Sequence, residues 1–212
     1  MTDSCRDLPI ATFLDQLASS SPTPGGGSVA ALSGAFAASL ILMVCNLTID
    51  KEAFAQNKRE LERIKDKATT LQGKLLNAVD EDIRAYQTVI VGYRLPKETE
   101  QEKANRRQAL QAALKQATEV PYRIAEACLQ LLTLCQRLPK LGNPHAISDV
   151  AVATHLAEAG AQSALYNVEI NCNHITDQSV VSRYHSMGKE LAERAAARKQ
   201  DIQNAVRTIL HR

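Results

Sequence analysis

Residues 21–45 have the sequence SPTPGGGSVAALSGAFAASLILMVC, in which prolines and three glycines precede a long stretch without a charge. Pro22 and Pro24 favour an extended approach, and Gly25, Gly26 and Gly27 leave their backbone amides uncovered by side chains. Ser28 is a suitable N-cap, so we expect a helix that begins there and favours an anion at its N-terminus. The segment therefore predicts either a ligand-binding loop against a core helix or a flexible connector. It is not a nucleotide motif, because it has neither the G-x-G-x-x-G spacing nor a following lysine.

The rest of the chain shows apolar spacings of three and four residues and no useful strand period. The Thr99–Glu102 capping box opens one helix, and Pro121 is expected to kink or split it. We predict an all-α, single-domain bundle over residues 1–212, in which two small-residue inner helices are wrapped by longer amphipathic ones. The predicted helices lie near 10–17, 28–49, 52–91, 99–120, 122–135, 148–175 and 178–210.

Composition excludes several classes of function. A net charge of +2 gives no electrostatic basis for binding nucleic acid. The five cysteines are scattered and the histidines have no ligand spacing, which predicts reduced thiols, no metal site and a cytoplasmic protein. The N-terminal residues lack the apolar core of a signal peptide. Residues 29–45 are short and weakly hydrophobic for a bilayer, so we expect a buried helix and no membrane association.

Asp82 stands at an apolar position of the third helix. The seam runs through leucine, isoleucine, valine and alanine at helical spacing, with this one carboxylate between Ala78 and Ala85. A buried carboxylate loses hydration, and burial raises its pKa toward the range useful for proton transfer. If the phase is shifted by one residue, Asp82 instead lies at the surface beside Asp80 and Glu81.

Other polar residues have two interpretations each. Asp149 is a second candidate acid or the N-cap of the sixth helix, a place that Ser148 could also take. Asn167 and Asn171 lie on one small-residue helix face and form either helix-to-helix hydrogen bonds or the wall of a polar pocket. Lys97 follows a proline turn and is either a ligand contact or a solvated loop residue.

The chain resembles one family in several motifs that occur in the family's order. They are SPTPGGGSVAAL at 21–32, CNLTI at 45–49, D-x-x-A-Y at 82–86, LPK at 95–97, GNPHAISDV at 142–150 and NVEIN at 167–171. These motifs are similar to those of the formiminotetrahydrofolate cyclodeaminase and methenyltetrahydrofolate cyclohydrolase family. The resemblance spans nearly the whole chain.

The resemblance implies an all-helical homodimer that acts on the one-carbon bridge between N5 and N10 of tetrahydrofolate, with no cofactor beyond the folate. It makes Asp82 the proton-transfer group and Asp149 a second carboxylate or pterin contact. It also implies that Gly25, Gly26, Gly27 and Ser28 hold the ligand. The expected remaining contacts are Lys97 with the glutamate tail, and Asn143, Ser148, Asn167 and Asn171 with the pterin or one-carbon unit.

Two activities fit the resemblance: hydrolysis of 5,10-methenyltetrahydrofolate to 10-formyltetrahydrofolate, and release of ammonia from 5-formiminotetrahydrofolate. The free-standing length of the chain favours hydrolysis slightly. A non-catalytic helical interaction module is the alternative from another class of function. A module of this kind does not need the Asp82 carboxylate at an apolar position of the helix.

Overall fold

The computed structural model describes residues 4–211, and the predicted domain of residues 1–212 extends beyond this range at both ends. Within the described residues the fold is all-α and contains no strand, as predicted. The helices are α1 (Ile10–Leu17), α2 (Gly26–Ile49), α3 (Lys58–Arg94), α4 (Glu100–Cys135), α5 (Leu138–Leu141), α6 (Ile147–Cys172) and α7 (Gln178–Leu210). Three 3₁₀ turns cover Cys5–Asp7, Glu52–Asn57 and Pro144–Ala146.

The two small-residue helices, α2 and α6, lie at the centre of the bundle, as predicted. Helix α2 packs against α3, α4 and α6, and α6 also contacts α4 and α7. Gly34 shows how closely the helices approach, because a Cβ there would meet Cys128 Sγ at 2.7 Å and Leu75 at 3.0 Å. The small residue therefore lets Cys128 of α4 and Leu75 of α3 pack directly on the α2 backbone, and a bulkier one would force the helices apart.

Helix α4 begins as the sequence predicts. Thr99 Oγ1 accepts a hydrogen bond from the Glu102 amide at 3.2 Å, and the Glu102 carboxylate accepts one from the Thr99 amide at 2.9 Å. The prediction that Pro121 splits this helix is wrong, because α4 runs unbroken from Glu100 to Cys135. A proline has no amide to offer the carbonyl four residues earlier, which is that of Ala117. Asn171 of α6 supplies the missing donor, with Nδ2 2.7 Å from the Ala117 oxygen.

Several predicted helix boundaries need correction. Helix α2 begins at Gly26 with Gly25 as its extended N-cap, so Ser28 lies inside the first turn. Neither Ser148 nor Asp149 caps α6, because the preceding 3₁₀ turn leads directly into the helix and places Ala146 at the N-cap. Residues 52–57 form a separate 3₁₀ turn, so α3 begins at Lys58.

Helix α2 is long and apolar enough to cross a membrane, with a mean hydropathy of 2.1 over its best 18-residue window. However, 56% of that window is buried inside the bundle. The core helix of a globular protein has the same length and composition, and α2 occupies that position here.

Candidate active site

Asp82 lies on the inner side of α3, as predicted from the seam. Its neighbours one turn away on either side, Ala78 and Ala85, are 9% and 5% exposed, and Asp82 itself is partly buried. The alternative, in which this side chain shares the surface with its neighbours in sequence, is therefore wrong. The α3 seam places a carboxylate at the level where α2 begins.

The first turn of α2 holds this carboxylate. Ser28 Oγ lies 3.1 Å from Asp82 Oδ2 and donates to it, with the Val79 carbonyl as a longer alternative acceptor at 3.4 Å. Gly27 packs against the same group so closely that an added Cβ would lie 2.5 Å from Asp82 Cγ. Only glycine fits at this position while the carboxylate keeps its place.

Two opposing effects set the acidity of Asp82. Burial raises the pKa of its carboxyl group, and this effect is the larger one. Hydrogen bonds from the Ser28 hydroxyl and backbone amide act in the opposite direction and lower it. The N-terminus of α2 also favours the ionised form, since unpaired helix amides carry partial positive charge. When it is ionised, this carboxylate places the protein's own anion at the glycine-rich helix start that the sequence predicted to bind one.

A cavity of about 430 Å³ opens beside this pair of helices. That volume is in the range of small-molecule sites. Its walls come from the loop before α2, from α2, α3, α4 and α6, and from the connection between α6 and α7. They are formed by Pro22, Thr23, Gly25, Gly26, Gly27, Asp82, Ala85, Tyr86, Val89, Ile90, Tyr93, Leu114, Ala117, Asn167, Ile170, Asn171 and His174.

The two predicted asparagines lie in this wall and differ in their partners. Asn167 stands beside Gly26, and its Nδ2 donates to Ser163 O within its own helix at 2.9 Å. Asn171 Nδ2 donates a hydrogen bond to the Ala117 carbonyl of α4. The side-chain oxygen of each amide remains as an acceptor, so both alternatives, an interhelix hydrogen bond and a pocket wall, describe Asn171.

Five predicted site residues are not among those that line the cavity: Ser28, Lys97, Asn143, Ser148 and Asp149. Ser28 is fully buried, and its hydroxyl donates to Asp82 and not to a ligand. Lys97 is exposed in the connection between α3 and α4. Asn143 is buried, where its amide donates to Thr48 Oγ1 at 3.0 Å and its side chain accepts from the His145 amide at 3.1 Å. The Gly142–Asp149 segment therefore lies at the C-terminal end of α2. A helix rises 1.5 Å per residue, so Asn143 is about 30 Å from Gly27 along α2. Asp149 lies seven residues before Leu156, whose carbonyl contacts Ser33, and is therefore about 20 Å from Gly27 along the bundle.

The structure adds residues that the sequence interpretation missed. Tyr86 and Tyr93 line the cavity on the same side of α3 as Asp82, and their helical spacing from Asp82 was the available signal. Arg106 of α4 donates through Nη2 to the Tyr93 carbonyl at 3.1 Å. Its Nε is buried and has no hydrogen-bond partner within residues 4–211. A guanidinium with an unused N–H thus stands next to a residue of the cavity wall.

Other features offer no comparable chemistry. A larger cleft of about 560 Å³ lies between α6 and α7, but its carboxylate, imidazole and ammonium groups, those of Glu169, His185 and Lys189, belong to exposed residues. Across residues 4–211, no three His, Cys, Asp or Glu side chains are placed to hold a metal ion together. Within residues 4–211, the cavity beside Asp82 brings a partly buried acid together with aromatic and amide side chains.

Comparison with known proteins identifies the family of the chain that forms this cavity. A family model described as formiminotransferase-cyclodeaminase matches residues 9–190, which include every residue of the cavity wall. The chain belongs to the formiminotransferase-cyclodeaminase family. Its similarity to methenyltetrahydrofolate cyclohydrolase from Methylorubrum extorquens is 39% identity over 199 residues, which cover 94% of this chain and 96% of that protein.

Other family members extend the comparison. Formimidoyltransferase-cyclodeaminase from Sus scrofa is 35% identical over 192 residues, or 89% of this chain, but the match covers only 36% of that longer protein. The crystal structure of formiminotetrahydrofolate cyclodeaminase from Thermotoga maritima superposes with a TM-score of 0.86 at 29% identity. That superposition covers 96% of this chain and 98% of the other. The all-α fold and the family resemblance are both confirmed.

Proposed function

We propose that the protein hydrolyses 5,10-methenyltetrahydrofolate to 10-formyltetrahydrofolate, with Asp82 as the proton-transfer group. The observation that carries the proposal is the Asp82 carboxylate, held by Gly27 and Ser28 in the wall of a substrate-sized cavity. The similarity to a methenyltetrahydrofolate cyclohydrolase over nearly the full length of both chains supports this reaction.

The chemistry needs one group that moves a proton in both directions. Water attacks the methenyl carbon, which carries the positive charge of the bridge, and the Asp82 carboxylate accepts a proton from that water. The resulting tetrahedral carbon is bonded to N5, N10 and oxygen. Protonated Asp82 then donates to N5, and the C–N5 bond breaks as the hydroxyl group on the carbon loses its remaining proton to water. The formyl group stays on N10. Ionised Asp82 also stabilises the cationic bridge before attack.

The cavity walls suit a reduced pterin. Tyr86 and Tyr93 offer aromatic faces along α3, and the oxygens of Asn167 and Asn171 accept hydrogen bonds from pterin N–H groups. Gly25 and Gly26 also line the cavity and have no side chains, which lets a flat ring approach the backbone. The reaction requires no cofactor beyond the folate itself.

We assign the glutamate tail of the folate to Arg106. Arg106 is not among the residues that line the cavity, but its Nη2 contacts the backbone of Tyr93, which is one of them. Its Nε–H has no hydrogen-bond partner within residues 4–211 and is available to a carboxylate. Lys97 lies exposed in the nearby connection and becomes a secondary contact. Arg106→Ala is expected to raise KM about tenfold with little change in kcat, since it removes a contact far from the reacting carbon. Lys97→Ala is the matched control, with a smaller increase in KM.

Release of ammonia from 5-formiminotetrahydrofolate is the second candidate, because the Thermotoga maritima structure with the same fold is a cyclodeaminase. In that reaction N10 attacks the formimino carbon, Asp82 accepts the N10 proton, and the same proton goes to the departing amine. The demands on Asp82 are the same in both reactions.

One preparation decides between the two activities. Loss of methenyl absorbance above an enzyme-free blank is measured beside ammonia release from the formimino substrate. We expect catalysed hydrolysis of the methenyl substrate. Ammonia release without this hydrolysis would instead favour the deamination reaction. If neither occurs and no folate binds, the interaction-module hypothesis replaces the enzyme. We further propose that the enzyme acts as a homodimer in the cytoplasm, without nucleic acid or membrane.

A further inference from the structure

Tyr86 and Asp82 share one side of α3 and line the same cavity. They are four residues apart, and side chains at this spacing on a helix are neighbours whose Cβ atoms lie about 5–6 Å apart. A long helical side chain also leans toward the N-terminus of its helix, so the ring of Tyr86 extends toward the turn that carries Asp82. The phenol group is thereby brought close to the carboxylate that the proposed reaction uses.

The hydroxyl of Tyr86 is open to the cavity and to solvent, because this residue is 37% exposed. Ser28 differs from it in this respect. Its hydroxyl also reaches Asp82, but Ser28 is fully buried and already donates to that carboxylate. A phenol hydroxyl both donates and accepts hydrogen bonds. Tyr86 can therefore hold a water molecule beside Asp82, which Ser28 cannot.

Hydrolysis and deamination make different demands on the space beside Asp82. In hydrolysis one proton of the attacking water passes through Asp82 to N5, and the other proton leaves the hydroxyl on the tetrahedral carbon for the solvent. Deamination of the protonated formimino group uses no water, and it returns the single N10 proton to the departing amine. Hydrolysis thus needs a group that holds a water molecule and conducts a proton to solvent, and deamination needs neither.

We propose that the Tyr86 hydroxyl holds the attacking water and carries the second proton of that water to solvent. The water lies between the two side chains, where it donates one hydrogen bond to the Asp82 carboxylate and the other to the Tyr86 oxygen. When the C–N5 bond breaks, the hydroxyl on the carbon gives its proton to the Tyr86 oxygen while the phenol passes its own proton to a solvent water. This step restores the phenol, and the net products are 10-formyltetrahydrofolate and one proton. The role rests on the proposed function, because deamination has no use for it.

Other wall residues that can pass a proton lie further from Asp82. Tyr93 stands 11 residues after Asp82, which is about 16 Å along α3. His174 stands seven residues after Asn167, which is about 10 Å further along the direction of α6. Both belong to the outer part of the cavity. Tyr86 is one turn from the carboxylate, at the distance that a single bridging water spans.

Tyr86→Phe separates this role from stacking on the pterin, since it removes the hydroxyl and keeps the ring. We expect the kcat of methenyl hydrolysis to fall about tenfold or more. The Kd for 5-formyltetrahydrofolate, which lacks the methenyl bridge, should stay within about twofold, because the hydroxyl acts on the water and not on the folate. Tyr166→Phe is the matched control, since this tyrosine is 71% exposed on α6 and is not among the residues that line the cavity.

The ratio of the two activities is a second measurement that a merely structural role of Tyr86 would not change. Methenyl hydrolysis and ammonia release from the formimino substrate are assayed with the same preparation of the variant. The ratio of hydrolysis to ammonia release should fall about fivefold or more in Tyr86→Phe, because only hydrolysis sends a proton to solvent.

Four outcomes would overturn the role of Tyr86. The first is a Tyr86→Phe protein with the wild-type kcat for hydrolysis, and the second is an equal loss in kcat and in folate affinity. The third is an equal loss in both activities. The fourth is a loss of hydrolysis in Thr23→Val that Tyr86→Phe does not show, which would assign the water to the loop before α2. Wild-type protein that does not hydrolyse the methenyl bridge would contradict the proposed function as well, so the wild-type rate distinguishes the two failures.

Discussion

The side-chain amide of Asn171 donates a hydrogen bond to the Ala117 carbonyl, which Pro121 leaves without a helical donor. This contact allows α4 to continue through the proline beside the active-site cavity. Both Asn171 and Ala117 line that cavity, so the backbone of its wall depends on the contact. Asn171 therefore has a structural role apart from its proposed contact with substrate.

Asn171→Ala is expected to lower the free energy of unfolding by about 1–3 kcal/mol. The substitution leaves the Ala117 carbonyl without a donor, and an unsatisfied buried acceptor costs on that order. Urea unfolding monitored by far-UV circular dichroism measures the change. Asn167→Ala is the matched control, since the carbonyl it contacts already has a helical partner and the loss should stay below about 0.5 kcal/mol. Equal losses in the two variants would contradict the role given to Asn171.

Gly27→Ala is expected to reduce activity by at least a hundredfold. The new methyl group would overlap the Asp82 carboxyl group and displace it from Ser28, and displacement of a proton-transfer group costs about as much as its removal. Steady-state kinetics of methenyl hydrolysis measure the loss. Gly73→Ala is the control, because nothing lies within 4 Å of a Cβ there and alanine favours the helix by roughly 0.5–1 kcal/mol. A fully active Gly27→Ala protein would contradict the geometry of the site.

Asp82→Asn should lose activity by a factor of about 10² to 10⁴ and yet be more stable than wild type at neutral pH. The raised pKa of Asp82 means that the folded state keeps the proton to higher pH than the unfolded chain does. Wild-type stability therefore falls as pH rises from the ordinary aspartate pKa of 3.8 toward the raised value, and this loss persists above it. The asparagine variant does not ionise and avoids it.

Thermal unfolding across pH 3–8 checks this expectation. The difference in melting temperature between the variant and wild type should be small at the acid end and should grow with pH. A variant that is less stable at every pH would mean that the carboxylate of Asp82 stabilises the fold. The role of Asp82 in proton transfer would then rest on kinetics alone.

The features that were predicted correctly from the sequence are those that depend on residues close together in the chain. The capping box at Thr99 forms because both of its partners lie within one turn, and the α3 seam places Asp82 because helical periodicity does not depend on distant contacts. The small residues of α2 and α6 predicted close packing for the same reason. These features include the helix and the residue at the centre of the site.

The incorrect predictions involve partners that are distant in sequence. Ser28 was a suitable N-cap by local preference, but its hydroxyl is buried against Asp82, 54 residues away. The sequence predicts that Pro121 kinks or splits α4, but the helix is not split. Asn171 of another helix donates to the carbonyl that the proline leaves without a helical donor. The sequence order of the motifs also gave no sign that Asn143 and Asp149 lie at the opposite end of α2 from Gly27. Each of these outcomes depends on which helix ends meet in space.

Ser28→Ala is expected to shift the acid limb of the pH–rate profile to higher pH. The Ser28 hydroxyl lowers the pKa of Asp82, so its removal leaves burial less opposed and the pKa of the carboxyl group rises. Because hydrolysis begins with ionised Asp82, activity should then fall away at a higher pH than in wild type, while the rate on the alkaline side changes little. Ser33→Ala is the matched control on the same helix, since its hydroxyl donates to Leu156 O and not to Asp82. If both serine variants kept the wild-type acid limb, the group that titrates in the reaction would not be Asp82.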